Sequence, residues 1–262
     1  MIPFLEKISE IEKRYIEFLY TSQCLKIGNF KLKSGRQSPY FIEMQESFDS
    51  LSLKIVGKAY AEKICELSFG SFNSILGPAE KGTAIALATA LFLPSKYGKI
   101  PVFWDRKQPK DYGTQKRPSW IVGPYKQLEQ IIKEQQTIKL IIVDDVITTG
   151  ATKKEVMNKF EQEIVEIAKE QNINMARIEW VKMYIAINRK EKDEQGQNPI
   201  EIFKSELKIP IGWITDSYNI YGYLGSQGII GKEEVLRFIE YQEKYGLEED
   251  RERLEELVKY FK

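Results

Sequence analysis

Leu140-Ile141-Ile142-Val143-Asp144-Asp145-Val146-Ile147-Thr148-Thr149-Gly150-Ala151-Thr152 runs from four aliphatic residues through two adjacent acids into a threonine and glycine turn. A short, unbroken aliphatic run bounded by polar residues reads as a strand buried on both faces. A helical pattern follows from Lys154, so the turn leads into a helix whose first backbone N–H groups have no intrahelical partner. Amides, hydroxyls and the helix dipole together favour an anion there, a phosphate above all. Asp144 and Asp145, delivered to the strand end, suit the hydroxyls of a ribose. The plainer alternative is that Asp144, Asp145 and Thr148 only cap the helix.

The same strand, turn and helix sequence recurs on either side. Ser74 to Leu76 reads as a short buried strand, Gly77-Pro78-Ala79-Glu80-Lys81-Gly82 breaks it, and Ala-rich Thr83 to Leu93 reads as a helix. Ile100 to Trp104 and Ile178 to Ile187 read as further strands. The charged segment Arg106 to Ser119 lacks apolar periodicity and is expected to be a loop. Alternating buried strands and helices predict an α/β fold with a central parallel sheet flanked by helices, with ligands outside the carboxyl ends of the strands, where Gly77, Arg106 and Asp144 begin.

Phe4, Leu5, Ile8, Ile11, Tyr15, Ile16 and Leu19 recur at helical spacing and predict an N-terminal amphipathic helix; a second helix is expected over 51–67. Lys190 to Asn198 is polar and expected at the surface. Glu233 to Phe261 is charged, with Leu236, Phe238, Ile239, Leu254, Leu257 and Tyr260 at helical spacing, and is expected to form helices outside the core. The expected division is a main domain over 1–231, including a small N-terminal hood, and a helical C-terminal tail over 232–262.

With 39 basic and 38 acidic residues the formal charge is +1, so no global field would draw the chain to nucleic acid or an anionic membrane. Any anion site must be local. Cys24 and Cys65 form no CxxC pair, which suits a reducing compartment, and the cytoplasm is expected. Met1 to Lys7 lacks the pattern of a signal peptide, and charges interrupt every candidate membrane span. The chain has no histidine, so the commonest general base and transition-metal ligand is absent and chemistry must rest on Lys, Arg, Asp, Glu, Tyr or a hard metal ion. There is no GxxxxGK[ST], and no GxGxxG follows a strand.

The Leu140 to Thr152 string resembles the phosphoribosyl pyrophosphate (PRPP) fingerprint of type I phosphoribosyltransferases. Leu32-Lys33-Ser34-Gly35-Arg36-Gln37-Ser38-Pro39-Tyr40-Phe41 is similar to the N-terminal signature of the orotate phosphoribosyltransferases, and implies that Lys33 reaches the substrates while Tyr40 and Phe41 lie at the base pocket. The Gly77 to Gly82 turn resembles that family's pyrophosphate turn, with Lys81 as its contact. Arg106-Lys107-Gln108-Pro109-Lys110-Asp111-Tyr112-Gly113 looks like its mobile catalytic loop, with Tyr112 where the family has histidine and Thr114-Gln115-Lys116-Arg117-Pro118 in place of a glycine-rich continuation. Arg189 matches the arginine that meets the orotate carboxylate, a planar anion suited to a guanidinium fork.

The resemblance covers residues 25 to 191 in one motif order, with apparent insertions around 124–138 and 160–178. It implies the type I phosphoribosyltransferase fold and Mg²⁺-dependent transfer of ribose 5-phosphate from PRPP to orotate. Asp144 and Asp145 would take the ribose hydroxyls, and Thr148, Thr149, Gly150, Ala151 and Thr152 the 5′-phosphate. Arg106, Lys107 and Lys110 would join Lys81 at pyrophosphate, with Lys110 the catalytic cation. A homodimer sharing the lid loop between subunits is implied as well. Two rivals use much of the same sequence: a PRPP-binding regulator without transfer activity, and a phosphoribosyltransferase for another base.

Overall fold

The structure, a computed structural model, describes residues 2–32, 34–67, 70–110, 118–134, 136–146 and 150–262, and the side chains of all of these except 150–152. In chain order the elements are α1 (Glu10–Thr21), β1 (Leu25–Lys31), β2 (Gln37–Ile42), α2 (Ser52–Ile64), β3 (Ser74–Leu76), α3 (Lys81–Phe92), β4 (Val102–Lys110) and β5 (Ser119–Val122). There follow α4 (Tyr125–Lys133), β6 (Ile138–Asp144), α5 (Gly150–Gln171), β7 (Ile178–Asn188), α6 (Pro199–Leu207), β8 (Ile211–Asp216), α7 (Ser217–Ser226), α8 (Lys232–Tyr245) and α9 (Arg251–Phe261). They form two compact units, one of Val56–Ile185 and Phe203–Gly212, the other of Met1–Ile55, Ala186–Ile202 and Trp213–Lys262.

The six-stranded sheet has the order β5-β4-β3-β6-β7-β8. β3 pairs in parallel with both β4 and β6, and β6 in parallel with β7, whereas β4 and β5 are antiparallel. Leu140, Ile141, Ile142 and Val143 are buried, as a central parallel strand covered on both faces requires. The chain leaves β3 for β4 on one side and reaches β6 on the other. The neighbouring carboxyl ends of β3 and β6 therefore flank a switch point, where open α/β sheets leave a crevice for ligands.

One expectation is corrected on this sheet. Arg106 to Lys110 is not loop but the end of β4, where Lys110 lies opposite Ser119 of β5 and the register slips between Asp105 and Lys110. β3 ends beside Phe103, so this part of β4 has a partner on one side only and can carry Pro109. The segment lacks apolar periodicity because it is an exposed ribbon and buries little. The 124–138 stretch holds α4, whose Leu128 and Ile132 are buried.

The other unit is built on α1, the β1–β2 hairpin and helices α7 to α9. Ser9 caps α1, its hydroxyl accepting from Glu12 N at 3.2 Å, and Tyr15, Ile16 and Leu19 are buried. The tail departs from expectation: Val235, Phe238 and Ile239 of α8 and Leu257 of α9 are fully buried, and Phe261 nearly so. Phe238 stacks on Tyr221 with ring centroids 4.0 Å apart. These helices are core of their unit, because the stripe Val235, Phe238, Ile239 and Gln242 occupies one face at i, i+3, i+4 and i+7. No helix among the described residues is long and apolar enough to cross a membrane.

Candidate active site

At the switch point, β6 delivers Asp144 and Asp145 just beyond its last buried aliphatic residue. Asp144 Oδ1 accepts from the Asp145 amide at 2.9 Å, and Asp145 Oδ1 accepts from the Val146 amide at 2.7 Å. Tyr60 of α2 donates its hydroxyl to the Asp144 carbonyl at 2.7 Å. Lys81, the first residue of α3, reaches Asp145 Oδ2 at 2.9 Å. Both acids are buried, so each needs a cation or a ring of donors.

Asp144 finds its cation in Lys153, whose ammonium meets Oδ2 from the first turn of α5. Burial pulls the Lys153 ammonium down to about 8. Nothing in the local sequence marks this lysine, because the contact depends on how α5 leaves the strand.

Two glycines let the elements approach. A Cβ on Gly82 would lie 2.9 Å from the Val143 carbonyl and 3.1 Å from Asp144 Oδ1, and one on Gly77 would lie 2.2 Å from the Gly82 carbonyl. A side chain at Gly82 would push the turn away from the end of β6, and one at Gly77 would push the end of β3 away from the start of α3. Asp105, one residue before the basic segment, holds that turn from the other side. Its Oδ1 accepts from Ala79 N at 2.7 Å and its Oδ2 from Lys159 Nζ at 3.1 Å. Lys159 also donates to the Arg106 carbonyl at 3.3 Å. Asp105 carried no motif signal, since an acid ending a strand is common.

Lys107 pairs with Glu80, both side chains being largely exposed, and the lysine holds the Glu80 carboxyl below its ordinary range. Such a pair contributes little to stability, but it offsets the negative charge that Glu80 brings to the Gly77 to Gly82 turn. Arg106 and Lys110 are half-buried on β4. Lys33, Tyr112, Thr148 and Thr149 lie outside the described residues, as do the side chains at Gly150, Ala151 and Thr152, where α5 begins.

In the other unit, Arg189 follows the end of β7. Its Nε lies 3.2 Å and its Nη2 3.1 Å from Glu191 Oε1, Nη2 also donates to Ser38 Oγ at 3.2 Å, and the guanidinium lies 4.4 Å from the centroid of the Tyr40 ring. Tyr40 and Phe41 are neighbours on β2, so they face opposite ways. Tyr40 is 1% exposed and Phe41 37%. Tyr40 is thus core, its hydroxyl donating to Glu191 Oε1 at 2.5 Å. Phe41 rests against Phe30, with centroids 5.8 Å apart, and keeps an open face.

No protein-family model matches the chain. The orotate phosphoribosyltransferase of Bifidobacterium adolescentis is 31% identical over 220 residues, 81% of this chain and 85% of that protein. The chain belongs to the orotate phosphoribosyltransferase family. The orotate phosphoribosyltransferase of Acinetobacter baumannii is 30% identical over 234 residues, 89% of this chain and 95% of that protein. A crystal structure of orotate phosphoribosyltransferase from Francisella tularensis superposes with a TM-score of 0.64 at 25% identity, covering 89% of this chain and all of that one. The resemblance of the sheet thus extends across most of an orotate phosphoribosyltransferase.

Proposed function

We propose that this family member transfers ribose 5-phosphate from PRPP to a ring nitrogen of orotate, giving orotidine 5′-monophosphate and pyrophosphate, a step of pyrimidine biosynthesis. The observation that carries the reading is the Lys81–Asp145 contact. It joins an acid suited to ribose hydroxyls and a cation suited to pyrophosphate at one sheet switch point. The C1–O bond to pyrophosphate breaks as the bond from the orotate nitrogen forms, so positive charge grows on the ribose and negative charge on the leaving group. A protein without histidine can serve such a reaction by charge and position alone.

Asp144 and Asp145 hold the ribose hydroxyls. Lys81, Arg106, Lys107 and Lys110 neutralise pyrophosphate, with Lys110 nearest the leaving oxygen, and residues 148–152 take the 5′-phosphate. Lys33 and Tyr112 complete the contacts. Phe41 offers its open face to the orotate ring, and Arg189 takes the orotate carboxylate through the Nη1 side, which lies outside its pair with Glu191. Mg²⁺, a hard cation, would be held largely by pyrophosphate and ribose oxygens with water and would draw off leaving-group charge. Leu87 and Leu91, one turn apart on α3 and 44% and 83% exposed, support a homodimer that covers them. The free Cys24 and Cys65 support a cytoplasmic setting.

The test follows orotate absorbance in purified protein with PRPP and Mg²⁺. Loss of orotate that stops on chelation of the metal is expected. PRPP binding without turnover would overturn the reading in favour of a PRPP-binding regulator, and turnover with a purine alone would move the acceptor.

A further inference from the structure

The Arg189 guanidinium is held by Glu191, two residues on, and Glu191 is held in turn by groups far away in sequence. Glu191 is 8% exposed, and its Oε1 takes both the Tyr40 hydroxyl and Arg189. Its other oxygen, Oε2, accepts from the hydroxyl of Tyr241 in α8 at 2.9 Å. Tyr241 is 6% exposed and sets its ring edge-on to Tyr40, with centroids 6.5 Å apart. The neighbouring residues are held too. Gln242 Nε2 donates to the Arg189 carbonyl at 3.4 Å, Ser217 Oγ donates to the same carbonyl at 2.7 Å, and Lys192 N donates to the Tyr245 carbonyl at 2.8 Å. An isolated β-bridge pairs Glu191 with Gly246.

A buried carboxylate with two oxygens and three side-chain partners is a junction. Removing one donor leaves a lone pair unsatisfied and lets the carboxylate turn toward the remaining partners. A guanidinium reads a planar carboxylate through a fixed fork, so a small rotation of its anchor costs recognition. We propose that Tyr241 of the C-terminal helix α8 is a positioning residue for acceptor specificity, fixing Glu191 and through it the aim of Arg189 at the orotate carboxylate. This inference rests on the assignment of Arg189 to orotate. It gives the charged C-terminal segment a part in choosing the base.

The experiment compares Tyr241→Phe, Glu191→Asp and Arg189→Lys with the parent chain in steady-state kinetics, varying orotate and PRPP separately, with circular dichroism to confirm folding. Tyr241→Phe keeps the ring and removes the bond; Glu191→Asp keeps the charge and withdraws its reach. The expected result for both is a rise of about tenfold in the KM for orotate, with the KM for PRPP and kcat within about twofold. A purely structural loss would lower kcat and shift both KM values together, and that outcome would overturn the inference. So would an unchanged orotate KM in Tyr241→Phe alongside a raised one in Arg189→Lys. An unchanged orotate KM in Arg189→Lys would instead overturn the assignment of the arginine. Should Tyr241→Phe fail to fold, Glu191→Asp decides by the same criteria.

Discussion

Lys81 and Asp145 tie the first turn of α3 to the end of β6 through an ion pair of 2.9 Å. The acid also accepts from the Val146 amide, so its orientation is set from two sides, while the lysine side chain is 40% exposed and can swing toward an incoming anion. Lys81→Met should raise the KM for PRPP about 10- to 100-fold, the loss of one charge-assisted contact, and leave the KM for orotate within a few-fold. Steady-state kinetics decide it. An unchanged KM for PRPP would mean that Lys81 serves only to neutralise Asp145.

Lys110 ends β4, opposite Ser119, and is the cation proposed for the leaving oxygen. Lys110→Ala should lower kcat about 100-fold while the KM for PRPP changes only a few-fold, because stabilisation confined to the transition state appears in turnover. Equal losses in turnover and PRPP affinity would remove its catalytic role.

Tyr40 and Phe41 differ in how much stability each carries. Tyr40→Ala should cost about 3–5 kcal/mol of stability, since it empties a buried site ringed by Tyr221, Phe238 and Tyr241. Phe41→Ala should cost about 1 kcal/mol or less and raise the KM for orotate, since more than a third of the side chain is exposed. Denaturant melts should therefore show a large loss in Tyr40→Ala and a small one in Phe41→Ala, while orotate titrations should show weaker binding in both, since Tyr40 also donates to Glu191.

Alkaline stability follows from the buried phenols. Burial pushes Tyr40, Tyr184, Tyr218 and Tyr221 above the ordinary tyrosine range, and burial together with Glu191 pushes Tyr241 up to about 12. In the unfolded chain these groups release their protons near pH 10, so above that the folded state binds more protons and stability falls as pH rises. Stability is fully present below pH 10, and each such group removes about 1.4 kcal/mol per pH unit between 10 and its folded value. Tyrosinate absorbance should show exposed phenols ionising near pH 10 and these five only together with the loss of circular dichroism. Gradual ionisation of all tyrosines in a folded protein would contradict the packing.

The strands and helices legible in the sequence are those whose own residues state their burial. Leu140 to Val143 is a continuous aliphatic run and Met183 to Ile187 an apolar one, Ile75 and Leu76 are short and aliphatic, and each lies in a strand of the sheet. Arg106 to Lys110 was illegible for the converse reason. It is strand by pairing with Ser119 to Val122, and hydrogen bonds to a distant backbone leave no apolar period in the segment itself. The region after Glu191, with α6, β8 and α7, was equally silent, being recognisable only once its partners are in place.

By itself the sequence determined the α/β class, the order of the motifs and the placing of Asp144 and Asp145 at a strand end and of Lys81 in the turn before a helix, since each depends on residues adjacent in the chain. The tertiary structure decided which cations answer which acids. Lys81 lies 64 residues from Asp145, and Tyr241 lies 50 from Glu191. It also decided that Tyr40 is core while Phe41 stays open, because which face of a two-sided strand is covered depends on the helices that pack there. A residue type limits the chemistry available, but burial and charge compensation depend on neighbours that only folding brings within a few ångströms.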